Sequence, residues 1–119
     1  KNNISIGRLG EEFARSYLLK NHYFILDKNY YTHWGEIDFI ARKDKKLVFI
    51  EVKTRIGTKK GKPYEAVNFY KVKALKRAIQ YYLLQKKLTG CKLSLDVISI
   101  ILDNHLQVAD LKHFQNIIC

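Results

Sequence analysis

The sequence predicts an α/β domain with a mixed β-sheet. Two segments have apolar residues at helical spacing, and several shorter segments are rich in β-branched and aromatic residues. Their order along the chain, α-β-β-β-α-β-β, is typical of an α/β fold. The chain has 119 residues, of which 47% are hydrophobic, and this suits one compact core. We therefore expect a single domain over residues 1–119.

The first half of the chain predicts one helix and three strands. Apolar side chains recur on one face between Ile4 and Asn21, which predicts the first helix. Tyr23–Tyr31 follows as a strand with an exposed end. Gly35 interrupts the chain, and two further strands are predicted at Glu36–Arg42 and Leu47–Thr54, joined by a tight turn.

The second half begins with a loop. Gly57–Pro63 contains three Gly or Pro residues, and the rest are polar. A 3.6-residue apolar period predicts the second helix over Tyr64–Lys87, with Gly90 as its C-terminal break. Strands are expected at Leu93–Leu102 and His105–Ala109, before a short closing segment.

The charge of the chain favours a polyanionic partner. Its formal net charge is +11 and its pI is about 9.7. Lys53–Arg77 alone holds nine Lys or Arg residues and one acid. Nucleic acid is the commonest such partner, although charge alone fits an anionic membrane or an acidic protein equally well. There is no apolar run of the roughly 20 residues that cross a bilayer. The start of the sequence also has no apolar signal-peptide core, so we expect a cytoplasmic location.

Cysteine and histidine provide no predicted site. Cys91 and Cys119 lie far apart and form no CxxC pair, which argues against a disulfide framework or a zinc site. We expect both to be reduced and partly buried. The four histidines are scattered, and no role is assigned to them.

The two central strands carry the chemistry. If Lys43–Lys46 is the turn between them, residues equidistant from it face each other, and Asp38 lies opposite Glu51. Alternation then puts Asp38, Glu51 and Lys53 on one face. The opposite face would be apolar, with Ile37, Phe39, Ala41, Val48, Ile50 and Val52.

Two opposed carboxylates need a counter-charge, because like charges at about 4.5–5.5 Å destabilise a sheet. A divalent cation would supply it, and oxygen ligands without His or Cys favour Mg²⁺ or Mn²⁺ over zinc. The Val52 carbonyl offers a third oxygen. Lys53 would orient an attacking water and stabilise charge on a phosphoryl oxygen, as in metal-assisted phosphodiester hydrolysis. The alternative is a structural salt-bridge cluster of Asp38, Glu51 and Lys53.

Two resemblances follow from these residues. Asp38, followed after twelve intervening residues by Glu51-Val52-Lys53, resembles the PD-(D/E)xK signature of restriction-endonuclease-like nucleases, with Ile37 in place of the proline. Across nearly the whole chain, the sequence resembles the YraN-like family of uncharacterised bacterial proteins. The segments that carry this resemblance are Gly7–Ala14, Tyr17-Leu18, Asn29, Gly35–Asp38, Phe49–Arg55, Lys71, Gln80–Leu83 and Asp96-Val97.

The resemblance implies a restriction-endonuclease-like three-layer fold, with a mixed central sheet and helices on both faces, similar to archaeal Holliday-junction resolvases. It also implies that a glutamate of the first helix reaches the metal. Here that residue is Glu11, beside Glu12, which is the solvated alternative. The implied metal ligands are therefore Glu11, Asp38 and Glu51, and the implied catalytic residues are Asp38, Glu51 and Lys53. Because such resolvases are dimers, the resemblance also suggests a homodimer.

For the other candidate residues, two interpretations of their role remain open. Glu36 shares the face of Asp38, either as an extra or supporting ligand or as an ion-pair partner of Arg55. Trp34 and the Tyr30-Tyr31 pair either stack on bases or fill the edge of the core. Asp96 is expected to be structural. The predicted nucleic-acid contacts are Arg55, Lys59, Lys60, Lys62 and Lys71. For the four lysines, the alternative is that they are merely solvated.

The leading hypothesis is a magnesium-dependent endonuclease that hydrolyses phosphodiester bonds in DNA, including structured or branched DNA. A non-catalytic nucleic-acid-binding module that retains the fold is the alternative. An adaptor for an acidic protein is a third interpretation.

Overall fold

All the predicted helices and strands are present, in the predicted order, in a computed structural model that describes residues 5–118. The elements are α1 (Ile6–Lys20), β1 (Phe24–Thr32), β2 (Gly35–Lys43), β3 (Lys46–Ile56), a short 3₁₀ helix (Pro63–Ala66), α2 (Phe69–Gln85), β4 (Lys92–Leu102) and β5 (Val108–Phe114). The predicted start of the first helix, Ile4, lies outside the described residues.

The five strands form one mixed sheet in the order β1-β2-β3-β4-β5. β3 and β4 run parallel, and the other three neighbouring pairs of these strands are antiparallel. A parallel pair needs a long crossover, and α2 lies in the connection between β3 and β4.

The two helices cover opposite faces of the sheet. On one face, Ala14 and Leu18 of α1 pack with Ile50 and Ile98 of the sheet. On the other face, Leu75 of α2 belongs to a second buried cluster with other residues of both layers, namely Ala78, Ile79, Tyr82, Ile37, Ile40, Leu47, Phe49 and Leu95. This arrangement of helix, sheet and helix confirms the predicted fold class and is consistent with a restriction-endonuclease-like fold. Neither helix within residues 5–118 is long and apolar enough to cross a bilayer.

The predicted limits of the second helix are wrong at both ends. Pro63 starts a separate 3₁₀ turn, and α2 begins only after Asn68, whose side chain accepts a hydrogen bond from the Lys71 N–H at 3.0 Å. The helix ends at Gln85, and Lys87 has a left-handed φ of 56°. Gly90 therefore lies beyond the helix rather than at its end.

Two further predictions in the second half are corrected. The last strand begins at Val108, because the Asp103 carboxylate accepts N–H groups from His105 (2.8 Å) and Gln107 (3.0 Å) and holds a turn there. Cys91 is exposed rather than partly buried, and Cys119 lies outside the described residues.

Candidate active site

The predicted register of the β2–β3 hairpin is correct up to Phe39, which pairs with Ile50. A two-residue turn joins the strands, with Asp44 at a φ of 55°. The paired ladder then ends, so Asp38 and Glu51 are not a facing pair. Instead, Asp38 Oδ2 accepts a hydrogen bond from the Val52 N–H at 2.7 Å. The Asp38 carboxylate thus accepts the hydrogen bond that the Val52 N–H would otherwise have donated to the backbone of β2.

The predicted apolar face also changes at this point. Phe39 and Ala41 pack on the α1 side of the sheet, as do Val48, Ile50 and Val52. Ile37, however, belongs to the buried cluster on the α2 side. Strict alternation therefore fails between Ile37 and Phe39, where Asp38 turns its carboxylate towards β3.

Asp38 belongs to an acidic cluster together with Glu11 of α1 and Glu36 of β2. One carboxylate oxygen from each residue lies within 4.8 Å of the others, so the group could hold a metal ion. Of the two interpretations of Glu36, the ion pair with Arg55 is wrong, since no ion pair joins them within residues 5–118. Glu36 instead accepts a hydrogen bond from the Asn29 side chain.

Asn29 is a site residue to which sequence reasoning gave no role. Its amide nitrogen donates to Glu11 Oε1 at 3.1 Å and also to Glu36 Oε2. It therefore links α1 to β2 across the acidic cluster. Its φ of 49° is left-handed, a conformation that asparagine tolerates better than most residues.

A close contact between α1 and β3 brings Glu11 near the sheet. A Cβ added to the buried Gly10 would lie 1.8 Å from Thr54 Oγ1 of β3. Only glycine therefore lets α1 approach the sheet this closely. The next residue along the helix is Glu11, which this approach brings to β2.

The electrostatics of the cluster are set mainly by burial. Asp38 is 7% exposed, and burial raises the pKa of its carboxyl to about 8, with Glu51 as the next contribution. Glu11 and Glu36 raise this pKa further, whereas the Val52 N–H lowers it. A bound cation would favour the ionised form, because it supplies the missing opposite charge.

Glu51 lies close by with a different set of partners. It is 3% exposed, and its Oε2 lies 3.2 Å from Lys53 Nζ and 3.5 Å from Lys71 Nζ. Its Oε1 is buried and has no hydrogen-bond partner among residues 5–118. Such an atom is costly to leave unpaired, and it can serve as a ligand. The structure therefore adds the α2 residue Lys71 to the predicted pair of Glu51 and Lys53.

The remaining predicted nucleic-acid contacts lie near the end of β3. Arg55 is half-buried, and its Nε has no hydrogen-bond partner in the described part of the chain. Lys59, Lys60 and Lys62 are exposed in the loop that follows β3. Glu12, the alternative to Glu11, is exposed.

The aromatic candidates divide between core and surface. Tyr30 packs edge-on against Tyr82 of α2, with ring centroids 5.1 Å apart, and so fills the edge of the core. Trp34 is 37% exposed and lies 5.9 Å from the Tyr81 ring. Tyr31 is 74% exposed.

Asp96 forms a second buried polar group, away from the acidic cluster. Its carboxylate accepts hydrogen bonds from Ser94 Oγ (2.5 Å), His113 Nε2 (2.7 Å) and the Asn116 N–H (2.9 Å). The other nitrogen of His113 lies 2.8 Å from the Tyr17 hydroxyl. Although burial alone would raise the pKa of Asp96, these hydrogen bonds lower it below its usual value. His113 therefore has a structural role that the sequence did not predict.

Residues 10–100 match the profile of Uncharacterised protein family UPF0102. The chain belongs to this family. A UPF0102 protein of Dictyoglomus turgidum is 38% identical over 115 residues, covering 97% of this chain and 98% of that protein. One from Clostridium tetani is 43% identical over 103 residues, covering 87% and 84%. One from Syntrophomonas wolfei is 42% identical over 102 residues, covering 86% and 89%.

UPF0102 is the YraN family, so the predicted resemblance is confirmed. The placement among PD-(D/E)xK nuclease-like proteins is consistent with this membership and with the mixed sheet. The UPF0102 match covers the whole acidic cluster and Glu51. The Asp96 network, in contrast, reaches beyond the matched residues through His113 and Asn116.

Proposed function

We propose that this UPF0102 protein is a magnesium- or manganese-dependent endonuclease that hydrolyses phosphodiester bonds in DNA, with structured or branched DNA as its substrate. The observation that carries the proposal is the acidic cluster of the buried Asp38 and the partly buried Glu11 and Glu36, beside a Glu51 carboxylate held by two lysines. The net charge of +11 supports a polyanionic substrate.

The residues present fit a divalent cation. Glu11, Glu36 and Asp38 would hold it, and the unpartnered Oε1 of Glu51 supports a further ligand from β3. An all-oxygen set of this kind favours Mg²⁺ or Mn²⁺. When bound, the cation supplies Lewis acidity towards a phosphoryl oxygen.

The lysines supply the remaining chemistry. The Lys53 ammonium is partly exposed and is oriented by Glu51 at 3.2 Å, so it can position an attacking water and stabilise charge that develops on a phosphoryl oxygen. Lys71, at 3.5 Å from the same oxygen, holds a neighbouring phosphate. Arg55 and the loop lysines Lys59, Lys60 and Lys62 extend this binding along the nucleic-acid backbone. Cutting both strands of a branched substrate would require two such sites, and hence a homodimer.

The test is cleavage of labelled single-stranded, duplex, flapped and four-way-junction DNA with Mg²⁺, Mn²⁺ or EDTA. Wild type is compared with Asp38→Ala, Glu51→Ala and Lys53→Ala, and with Asp110→Ala, which removes an exposed carboxylate from β5. We expect metal-dependent cutting by wild type and Asp110→Ala, and a loss of roughly 10²–10³-fold or more in the other three.

Two outcomes would contradict the proposal. Equal residual cutting by all proteins would indicate a contaminating nuclease. No cutting, together with intact and salt-sensitive DNA binding, would indicate a binding module that has kept the fold.

A further inference from the structure

We propose that a cavity beside the acidic cluster is a nucleotide subsite, in which Arg8, Arg15 and Lys28 hold a phosphate and Tyr31 stacks on the base. The identity of the nucleotide as part of a nucleic-acid substrate rests on the proposed function. The cavity has a volume of about 320 Å³ and is also lined by Glu11 and Glu36 of the cluster. This volume is at the lower end of small-molecule sites, which suits one nucleotide better than a longer segment.

The sequence of α1 places its charges towards this cavity. Arg8, Glu11, Glu12 and Arg15 are spaced three and four residues apart, so they share one face of the helix. All four line the cavity, and Lys28 of β1 completes its wall. Two arginines therefore flank the ligand glutamate, one turn before it and one turn after it.

Arg8, Arg15 and Lys28 have no acidic ion-pair partner in the described part of the chain, so each can bind a phosphate. No carboxylate oxygen within residues 5–118 lies within 4.0 Å of the charged atoms of Arg8, Arg15 or Lys28. The start of α1 also lines the cavity through Ser5 and Gly7. The N-terminal end of a helix favours anions, which adds to the attraction of the three side chains.

The aromatic wall distinguishes a nucleotide from a simple phosphate. Tyr31 lines the cavity and is 74% exposed, so its ring is accessible to a base. Base–aromatic stacking tolerates any base. The subsite would therefore bind nucleotides without strong sequence preference.

The charge of the cavity couples the nucleotide to the metal. Among residues 5–118, its wall carries three cations and three glutamates, namely Glu11, Glu12 and Glu36. A divalent cation held by Glu11 and Glu36 would add two positive charges beside the subsite, and this would favour an anionic ligand. We expect the metal to tighten nucleotide binding, and the nucleotide to tighten metal binding by the same factor.

The experiment measures binding by fluorescence anisotropy of short labelled single-stranded DNA in a Lys53→Ala background, with Mg²⁺ or EDTA. Lys53 does not line the cavity, and its removal prevents cutting during the measurement. Arg8→Ala/Arg15→Ala is compared with Lys20→Ala/Lys45→Ala, a matched loss of two charges from exposed positions outside the cavity. Unchanged melting temperatures would verify that each variant folds.

We expect Arg8→Ala/Arg15→Ala to weaken binding at least tenfold in Mg²⁺ and to lower the slope of log affinity against log salt by about 1.4, as expected for two lost phosphate contacts on a single strand. The Mg²⁺ enhancement should also fall in this variant. Tyr31→Ala should weaken binding about fivefold or more, with Tyr31→Phe close to the background protein. If Arg8→Ala/Arg15→Ala binds as tightly as the matched control, the subsite proposal is overturned.

Oligonucleotides with a 5′-phosphate and with a 5′-hydroxyl identify the source of the phosphate. A difference in affinity that disappears in Arg8→Ala/Arg15→Ala assigns the site to a terminal phosphate, and equal affinity assigns it to an internal one. Because the readout is binding, it separates the two proposals. If wild type does not cut DNA but Arg8→Ala/Arg15→Ala binds it more weakly, the nuclease proposal fails and the subsite proposal stands. If wild type cuts normally and Arg8→Ala/Arg15→Ala binds DNA as tightly as its control, the subsite proposal fails and the nuclease proposal stands.

Discussion

Two buried aspartates on the central sheet have pKa values that move in opposite directions. Asp38 of β2 is 7% exposed and Asp96 of β4 is 2% exposed. The pKa of Asp38 is raised to about 8, mainly by burial, whereas that of Asp96 is lowered although burial acts on it in the same sense. Burial alone therefore does not determine the direction in which the pKa of a buried aspartate moves.

The difference lies in what each carboxylate faces. Asp96 receives hydrogen bonds from His113, Ser94 and the Asn116 N–H. Within residues 5–118, Asp38 receives one, from the Val52 N–H, and faces three other carboxylates. The Asp96 carboxylate is fully hydrogen-bonded within the protein, whereas the Asp38 carboxylate lacks a cationic partner within residues 5–118. Such a deficit is typical of a functional site rather than of a structural one.

The largest expected effect is a loss of stability when Asp96 is removed from its hydrogen-bond network. Asp96→Ala should lower the free energy of unfolding by about 3–5 kcal/mol, because it leaves the buried His113 imidazole and two other donors without an acceptor. Urea unfolding at pH 7 measures this loss. Asp110→Ala, which removes an exposed ion pair with Lys112, is the control, with an expected change of about 0–1 kcal/mol. A loss below about 1 kcal/mol for Asp96→Ala would contradict the structural role.

The second prediction concerns metal binding by the acidic cluster of Glu11, Glu36 and Asp38. Mg²⁺ or Mn²⁺ at about 100 times its dissociation constant should stabilise wild type by about 2.7 kcal/mol, because the ion binds only the folded site. The increase in melting temperature should be larger at pH 8 than at pH 6, since ligand carboxyls must lose their protons. Asp38→Asn should abolish it. An equal increase in wild type and Asp38→Asn would place the metal elsewhere.

The third prediction is the pH dependence of the metal-free protein. The pKa of Asp38 is raised from 3.8 to about 8 on folding, so the folded state binds this proton more tightly than the unfolded state. Stability should therefore fall as pH rises from about 4 to about 8. Asp38→Asn should lack this component and be more stable than wild type at pH 9 by about 1–3 kcal/mol. Denaturant unfolding in EDTA across this range measures both. If Asp38→Asn is instead less stable than wild type at pH 9, the comparison with Asp96 fails.

The smallest expected effect is at Asn29. Asn29→Gly keeps the left-handed backbone accessible but removes the amide that links Glu11 and Glu36. The stabilisation by metal should fall by about 1 kcal/mol, the net contribution of a typical intramolecular hydrogen bond. Titration of Mn²⁺ against melting temperature is the measurement, with Asn21→Gly beyond the end of α1 as a control. An unchanged titration would show that Asn29 does not position the two carboxylates.

Much of the fold could be predicted from the sequence because its signals are local. The apolar period of α1, the short turn at Asp44 and the Gly-rich loop after β3 each depend on neighbouring residues. The start of α2 was mispredicted because the apolar period continues back through the 3₁₀ turn, and only the cap at Asn68 marks the true start.

The site could be predicted only in part, because its details depend on contacts between distant segments. Spacing brought Asp38 and Glu51 to one region, but the end of their ladder depends on the hydrogen bond from Val52. The roles of Asn29 and His113 require the packing of β1 and β5 against α1 and β4. No periodicity carries that information.

The hydrogen bond from the Val52 N–H to Asp38 also gives the protein an internal spectroscopic reporter. At 2.7 Å from a carboxylate oxygen, this amide is sensitive to whether its acceptor is protonated, ionised or bound to a cation. Its nitrogen–proton resonance should therefore follow the ionisation of Asp38 without any added label. Slow hydrogen–deuterium exchange at the same amide would follow how often β2 and β3 separate at this point. One backbone group thus records both the chemistry and the opening of the site.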